Sequence, residues 1–438
     1  MFSNLYRRLY LRAAIKSFWF IPAALGLAGF GLAVVMVFLD RTFIFRDDFI
    51  FYGVSAITAR SVLETIASAA VTIISLTYSM TLVVFTLAAG NIAPRLLRNF
   101  REDKVSQAGI GIFCGTFLYA LSVLYIISAD EVPRLSTLIA LLLAALCVYT
   151  LIYYVHNVSQ QVLVDTEIAR SVRKADAVLC SILENEDDRG HSALPQSAAK
   201  SRPEILHAKE SGYVALIEVG AIVKLAAKHD LYVEMLVKPG DFVVEHMTIA
   251  NFWSVGKVFD APRVSEELLK CGVVLEDSRT PGKDIGFSMH LVIEIAMRAL
   301  SPGINDSYTA ASCVDNLSTI LCKIVSNEEP SNLHYDEGRL PRLKYATYLV
   351  ANIFEAVFTP IRINARGNIL VTLRMLVALR RGAEQTLPKY ADVIRLHTSL
   401  LLQDARACIT NGHDLATIEE AGAIVENALK RRGFGLAA

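Results

Sequence analysis

The chain has 438 residues, of which 53% are hydrophobic and 20% charged, and its 43 basic and 43 acidic residues balance to a net charge of zero. This composition excludes a disordered protein, a collagen-like chain and a nucleic-acid binder that acts through bulk positive charge. The charge is unevenly spread: residues 1–160 hold 12 basic and 8 acidic residues, whereas residues 161–438 hold 31 and 35. The sequence therefore predicts a transmembrane domain over residues 1–160 and a water-facing remainder.

Four stretches in the first part are long and apolar enough to cross a bilayer. The first, residues 18–39, carries no charged residue. As a helix it would be ~33 Å long, against a hydrocarbon core of ~30 Å. The others lie at about residues 65–89, 105–128 and 135–155. We therefore expect a multi-pass protein that contacts the lipid bilayer and binds no nucleic acid.

Basic residues concentrate in alternate loops of this four-span arrangement. They precede the first span, separate the second from the third, and follow the fourth. These residues are Arg7, Arg8, Arg12 and Lys16; then Arg95, Arg98, Arg101 and Lys104; then Arg170, Arg173 and Lys174. Because loops rich in lysine and arginine stay in the cytoplasm, the sequence predicts that both termini and the whole C-terminal half are cytoplasmic.

The second span carries a continuous stripe of hydroxyl side chains. Its serines and threonines recur at alternating spacings of four and three residues, which places them on one face of a helix, with a glutamate beside the outer end. One interpretation is close helix packing, which base rates favour; the other is a pore or substrate path lined by hydroxyls. The pore-lining candidates are Glu64, Thr65, Ser68, Thr72, Ser75, Ser79 and Thr86.

Two features follow along the chain. Gly111 and Gly115 in the third span form a GxxxG pair, which permits tight helix contact within one chain or between chains. Beyond the fourth span, apolar residues keep helical spacing, so we expect a helical stalk over residues 156–184. Polar residues, glycine and proline then predict a linker at residues 185–203.

The remainder predicts a cytosolic α+β region, so that the whole chain is an α-helical membrane protein with a mixed second half. Residues 204–285 favour a small β-rich domain, a sheet or a barrel, with one short helix at 221–229. The strand candidates are residues 213–219, 231–237, 242–244, 248–250 and 272–275. From residue 287 onward we expect only helices, in a helical domain over residues 286–438. The helix candidates are residues 290–300, 308–325, 344–358, 368–381, 390–410 and 415–430, the last capped by Asp414.

A set of charged and amide residues in this half suggests a cytosolic ligand or ion site. It comprises Arg279, Asp284, Asn305 and Asp306. The competing interpretation is structural and we favour it. In that interpretation Asp306 or Asn305 caps the following helix, Gly303 supplies a turn with positive φ, and Pro302 ends the preceding helix.

Catalytic and metal-binding motifs are absent from the sequence. No Walker A, GxGxxG, HExxH, GxSxG or EF-hand pattern occurs, and no two of the nine histidines stand three or four residues apart on one helix. The seven cysteines include no CxxC pair, so the sequence suggests neither a zinc site nor a disulfide framework, and their odd number fits reduced thiols in a cytosolic compartment. We therefore expect no cofactor, no metal site and no enzymatic activity.

Several motifs in order resemble one family of bacterial proteins. They are Asn91-Ile-Ala-Pro-Arg-Leu-Leu-Arg-Asn-Phe, Gly115-Thr-Phe-Leu-Tyr, Ser211-Gly-Tyr-Val, Pro239-Gly-Asp-Phe-Val, Arg279-Thr with Asp284, and Ala299-Leu-Ser-Pro-Gly-Ile-Asn-Asp. The chain resembles, over about residues 15–430, the predicted membrane proteins known as domain of unknown function 2254. Ser307 departs from the pattern, which prefers proline there. The resemblance implies a bacterial inner-membrane location and no particular activity.

Two functions remain open at this point. The first is a homo-oligomeric channel or transporter with a cytosolic gating or sensing domain and a small ion as its candidate substrate. The alternative is a membrane-anchored scaffold or sensor without transport, which the absence of charges in the middle of the spans favours. A membrane enzyme has the least support.

Overall fold

The computed structural model describes residues 19–42, 55–91, 104–127, 133–161, 164–184, 202–254, 259–277, 279, 285–329, 332–345 and 349–434. The chain divides into two compact units, residues 1–166 and residues 167–438. Most of the predicted linker, Asp284, and the basic residues before the first span and at positions 95, 98 and 101 lie outside the described residues.

The first unit contains four helices that are long and apolar enough to cross a membrane, which confirms the predicted number of spans in the described part of the chain. They are α1 (Phe20–Thr42), α2 (Ala56–Asn91), α3 (Lys104–Ile126) and α4 (Arg134–Gln161). Helix α3 packs against the other three. Half of its span is buried, against 22% for each of the others, so α3 is the centre of the unit.

Glycines bring α1 and α3 into backbone contact. A Cβ atom on Gly115 would lie 2.8 Å from the carbonyl oxygen of Leu25, and one on Gly29 would lie 2.2 Å from the carbonyl oxygen of Gly115. A Cβ atom on Gly111 would lie 2.6 Å from Leu25 Cδ1. Only glycine leaves room for this approach. The GxxxG pair is therefore used within the chain, between α3 and α1.

One end of the unit is fixed by a carboxylate of α1 that caps α4. Asp40 accepts hydrogen bonds from the backbone N–H groups of Leu135 (3.0 Å) and Ser136 (2.9 Å), and from the Ser136 hydroxyl (2.6 Å). The buried Tyr119 of α3 donates to the Ser136 carbonyl at 2.9 Å. The N–H groups in the first turn of a helix have no partner within that helix, so Asp40 supplies acceptors for two of them. The negative charge of its carboxylate is also stabilised by the positive end of the helix dipole.

Helix α5 (Val164–Glu184) lies almost wholly in the second unit, which continues with two open β-sheets among the described residues. The strands are β1 (Glu204–His207), β2 (Gly212–Ile217), β3 (Leu231–Met235), β4 (Phe242–Val243), β5 (Thr248–Ser254), β6 (Val273–Glu276), β7 (Leu333–Tyr335) and β8 (Pro341–Lys344). Five strands pair in the order β1-β5-β3-β8-β7 and three in the order β4-β2-β6; only β3 and β8 run parallel. The sequence left a sheet and a barrel open for this region, and the described strands form open sheets.

One apolar core joins both sheets to α6 (Val219–His229) and α7 (Ala261–Gly272). Its fully buried members come from sequence positions more than 100 residues apart. They include Val214, Ile222, Val233, Phe252 and Leu343. This core explains one wrong prediction, that the chain is only helical after residue 287. Strand β8 is held by its pairing with β3 and by burial of its apolar face, and neither is visible in the local sequence.

A helical bundle completes the unit. Its helices are α8 (Ile285–Ala299), α9 (Ser307–Val325), α10 (Val350–Asn364), α11 (Ile369–Ala383), α12 (Ala391–Cys408) and α13 (Gly412–Arg431). Helix α10 begins six residues after Lys344, the residue at which the sequence predicted it. The cap of α13 is Asn411, whose side chain accepts from the N–H groups of His413 and Asp414. Asp414 is therefore inside the first turn and was wrongly predicted as the cap.

Candidate functional site

Helix α2 has two chemically different faces. The face toward α3 and α4 is buried and mostly apolar, with Ala59, Leu63 and Ala70 between 0 and 3% exposed. Every residue of the predicted hydroxyl stripe lies on the exposed side. These residues are Glu64, Thr65, Ser68, Thr72, Ser75, Ser79 and Thr86. The stripe therefore takes no part in packing within the described part of the first unit.

The buried face of α2 uses other hydroxyl groups for its contacts. Tyr154 of α4 is buried and donates to the carbonyl oxygen of Thr77 at 3.2 Å. Its hydroxyl group is also hydrogen-bonded to the hydroxyl of Thr81. Because this attachment lies on the face that packs on α4, it fixes the rotation of α2 and turns the stripe outward.

The threonines of the stripe are bonded to their own helix. Thr65 donates to the carbonyl of Ser61 (2.8 Å), Thr72 to that of Ser68 (2.9 Å), and Thr86 to that of Leu82 (2.9 Å). These threonine protons are thus used within the helix, while each oxygen can still accept a hydrogen bond. The threonines therefore offer hydrogen-bond acceptors on the exposed side.

Apolar side chains flank the stripe on the same exposed surface. Leu76 is 57% exposed and Val83 is 56% exposed, as expected for side chains that face lipid. Val71 and Leu82 are exposed on the other flank. The polar strip is therefore bordered by two apolar strips, and Glu64 lies within its N-terminal part.

Two of the ligand-site candidates predicted in the second unit, Arg279 and Asp306, make contacts of other kinds among the described residues. Arg279 stacks over the ring of Phe287 at 5.7 Å, and Asp284 lies outside the described residues. Asp306 caps α9: its carboxylate accepts from the Thr309 N–H at 3.0 Å and from the Thr309 hydroxyl at 2.6 Å. These hydrogen bonds lower the pKa of Asp306. A ligand-binding role for the four residues stays a prediction.

The sequence also allowed a purely structural role for the residues between α8 and α9, as a helix end, a turn and a cap. The observed turn differs from that interpretation in one detail. Helix α8 ends at Ala299, before Pro302, and Asp306 is the cap, as that interpretation predicts. The positive φ angle, however, belongs to Asn305 at 50° and not to Gly303. Asparagine tolerates the left-handed region better than most residues, so glycine is not required.

Two buried polar groups had no signal in the sequence. Arg342 on β8 donates from Nε to Asp336 and from Nη1 to Asp230, each at 2.7 Å. Burial alone would lower the pKa of Arg342, but the two carboxylates raise it. These residues come from separate segments, so only the fold brings them together. Among the described residues, no group of three or more histidine, cysteine, aspartate or glutamate side chains is placed to hold a metal ion.

The second buried group is His397 on α12, which is 1% exposed and packs against the rings of Phe354 and Phe358 on α10. Burial lowers its pKa, against an opposing effect of Glu355. The imidazole is therefore held in the neutral form. Nothing in its sequence surroundings distinguishes it from the exposed histidines.

Comparison with known proteins agrees with the motifs found in the sequence. The chain is similar to uncharacterised proteins of Mycobacterium bovis and Mycobacterium tuberculosis. Each is 27% identical over 444 aligned residues, which cover 97% of this chain and 82% of the relative. No solved structure matches the chain. The family model described as predicted membrane protein (DUF2254) matches residues 15–381. The chain therefore belongs to the DUF2254 family of predicted membrane proteins.

Proposed function

We propose that the protein is a homo-oligomeric channel or transporter of the bacterial inner membrane, with its C-terminal unit in the cytoplasm as a gating or sensing domain. The observation that carries this proposal is the hydroxyl stripe on the exposed face of α2. Copies of α2 around a symmetry axis would line a water-filled path with the stripe.

The surroundings of the stripe support this proposal. Lipid tails offer no hydrogen-bond donors to the outward lone pairs of a hydroxyl surface. Within one chain, α1, α3 and α4 give no cover, because the packed face of α2 is on the other side. Another copy of α2, or water enclosed by several copies, supplies the missing partners. One subunit with four helices is too small to enclose a wide path, which favours closed rotational symmetry.

The charge at the outer end favours a cation as the transported species. Glu64 stands on the exposed face of α2 beside Thr65, so a ring of copies would place a ring of carboxylates at one mouth. Arg95 and Arg98, which follow α2 in the sequence, carry the opposite charge. A small inorganic cation is therefore the substrate to test first.

Cysteine accessibility tests the water-lined path directly. In a chain whose seven native cysteines are replaced, Ser75→Cys should react with a small membrane-impermeant thiol reagent in the assembled protein. Leu76→Cys is the matched control: it is the next residue, also exposed, but on the apolar flank. It should react far more slowly. Ala70→Cys, on the buried face, should not react.

Equal labelling at Ser75 and Leu76 would contradict a water-lined stripe. A transport assay gives the second readout. Ser75→Leu should reduce cation flux into liposomes while the oligomer stays intact on size-exclusion chromatography, whereas Leu76→Ala should leave flux unchanged. Glu64→Gln should reduce the preference for cations over anions.

The membrane-anchored scaffold is the second candidate, and the threonine geometry is compatible with it. Hydroxyl protons already bonded to their own helix suit a packing seam between copies as well as a path. In that case the cysteine at position 75 stays unreactive and Ser75→Leu breaks the oligomer, because a packing surface tolerates no added volume. The two measurements therefore separate the two functions.

A further inference from the structure

Helices α5 and α9 of the second unit are joined by a cluster of three reactive side chains. Lys323 on α9 places its Nζ 2.8 Å from Asp176 Oδ1 and 2.8 Å from Cys180 Sγ. Asp176 and Cys180 are one turn apart on α5, with the sulfur 3.8 Å from Asp176 Oδ2. The amine nitrogen is thus within hydrogen-bonding distance of the cysteine sulfur, and the ion pair with the Asp176 carboxylate holds it there.

The cluster is also open to small molecules. The side chains of Lys323 and Asp176 are 36% and 45% exposed, and Cys180 is partly exposed. The other cysteines of the second unit have different surroundings. Cys313 and Cys322 are buried, and Cys271 donates its thiol proton to the carbonyl of Glu267. The Cys180 sulfur, by contrast, is partly exposed and contacts a cation.

We propose that Cys180 is a peroxide-reactive modification site at which Lys323 captures the oxidised sulfur as a covalent cross-link. The oxidant is hydrogen peroxide, and the chemistry needs no metal or cofactor. The geometry that supports this is the contact of the Cys180 sulfur with Lys323 Nζ at 2.8 Å. The proposal is independent of whether α2 lines a path.

The reaction proceeds in two balanced steps. In the first, the Cys180 sulfur attacks one peroxide oxygen, the O–O bond breaks, and the departing oxygen leaves as water with the thiol proton. Sulfur is oxidised to a sulfenic acid and the peroxide is reduced. In the second, Lys323 Nζ gives up a proton and attacks that sulfur. The S–O bond breaks, a second water leaves, and an N–S bond joins the residues.

The cross-link would tie together two helices that are otherwise held by one ion pair at this point. Helix α5 follows α4 directly in the sequence, so the bond would link the segment after the last span to the helical bundle. A thiol reductant attacks the sulfur, releases the amine and reverses the link. Oxidation at this site would therefore link α5 and α9 covalently, and reduction would release them.

Mass spectrometry of the full-length protein in detergent tests the proposal. After treatment with hydrogen peroxide, the peptides that contain Cys180 and Lys323 should appear as one species, lighter than their sum by two hydrogen atoms. Dithiothreitol should abolish it. Cys408, exposed at the end of α12, is the internal reference and should be oxidised more slowly.

Two variants make the test specific. Cys180→Ser should lose the linked species. Lys323→Arg keeps a cation beside Asp176 but has no nucleophilic amine; it should lose the link while a dimedone probe now labels Cys180. The proposal is wrong if peroxide modifies Cys408 and leaves Cys180 unchanged in the native chain. It is also wrong if the linked species persists in Lys323→Arg.

Discussion

At the residue scale, one buried guanidinium holds together parts of the chain that are distant in sequence. Arg342 is 7% exposed and its partners Asp336 and Asp230 are 12% and 26% exposed. Removal of the cation leaves two carboxylates close together with little water to solvate them. Asp230 also has a positive φ angle of 53°, at the C-terminal cap of α6. The ion pairs of Arg342 therefore add to the strand pairing and apolar burial that hold β8.

We predict that Arg342→Met destabilises the second unit by about 3 kcal/mol, since breaking a buried ion pair leaves an uncompensated charge. The thermal unfolding midpoint in detergent should fall by several degrees. Lys270→Met is the control: its partner Glu266 is half exposed, so the midpoint should hardly change. Equal effects of the two substitutions would refute a structural role for the buried pair.

Two histidines with lowered pKa values predict how stability depends on pH. Burial lowers the pKa of His397 and of His334, whereas both titrate near 6.5 when unfolded. Their stabilising effect is therefore complete above about pH 6.5 and is lost as the pH falls from there toward their folded pKa values. The unfolding midpoint should decrease between pH 7.5 and pH 5.5. Replacing His397 with leucine should flatten this slope, while replacing the exposed His413 should leave it unchanged.

At the element scale, the first unit depends on glycine at one helix crossing and on a carboxylate at one helix end. Helices α1 and α3 touch through backbone atoms, so the crossing fixes their relative rotation as well as their distance. Asp40 of α1 caps α4, and this contact fixes one end of the unit. Both devices leave α2 attached by one face, with its hydroxyl stripe outward.

Two glycine substitutions with the same chemical change should have opposite effects. Gly115→Ala places a methyl group 2.8 Å from the Leu25 carbonyl oxygen, so α1 and α3 must separate and the protein should lose about 1–3 kcal/mol of stability. Gly31→Ala meets nothing within 4 Å and should stabilise α1 by about 0.5–1 kcal/mol. Thermal unfolding of both variants in one detergent gives the comparison. A shift of the same sign in both would contradict the crossing.

At the scale of the whole molecule, the division into a membrane unit and a larger second unit raises the question of which side each faces. The segments before the first span, between the second and third spans, and after the fourth span carry an excess of lysine and arginine. Such an excess keeps a segment in the cytoplasm. Hydrophobic length by itself sets no direction. The orientation is therefore a prediction that a direct experiment has to decide.

We predict that alkaline phosphatase fused after Glu184 is inactive in cells and that green fluorescent protein at the same point fluoresces. A fusion in the segment between α1 and α2 should show the reverse. Active phosphatase after Glu184 would place the second unit outside the cytoplasm, and the peroxide chemistry of Cys180 would then occur in an oxidising compartment.

The sequence by itself determined the features that local chemistry controls. The four spans follow from uninterrupted apolar length, most helices of the second unit from periodicity, and the family from short motifs in order. The outward stripe of α2 was visible as a pattern, but its direction was not. Whether Ser75 faces a neighbouring helix or the outside depends on which face α3 and α4 cover, and that is decided by Gly115, Tyr154 and other contacts between helices. Likewise β8 and the clusters of Arg342 and Lys323 join segments up to 147 residues apart. Only tertiary structure creates such neighbours, because the free energy that holds them comes from burial and pairing across the chain and not from the propensity of any one segment.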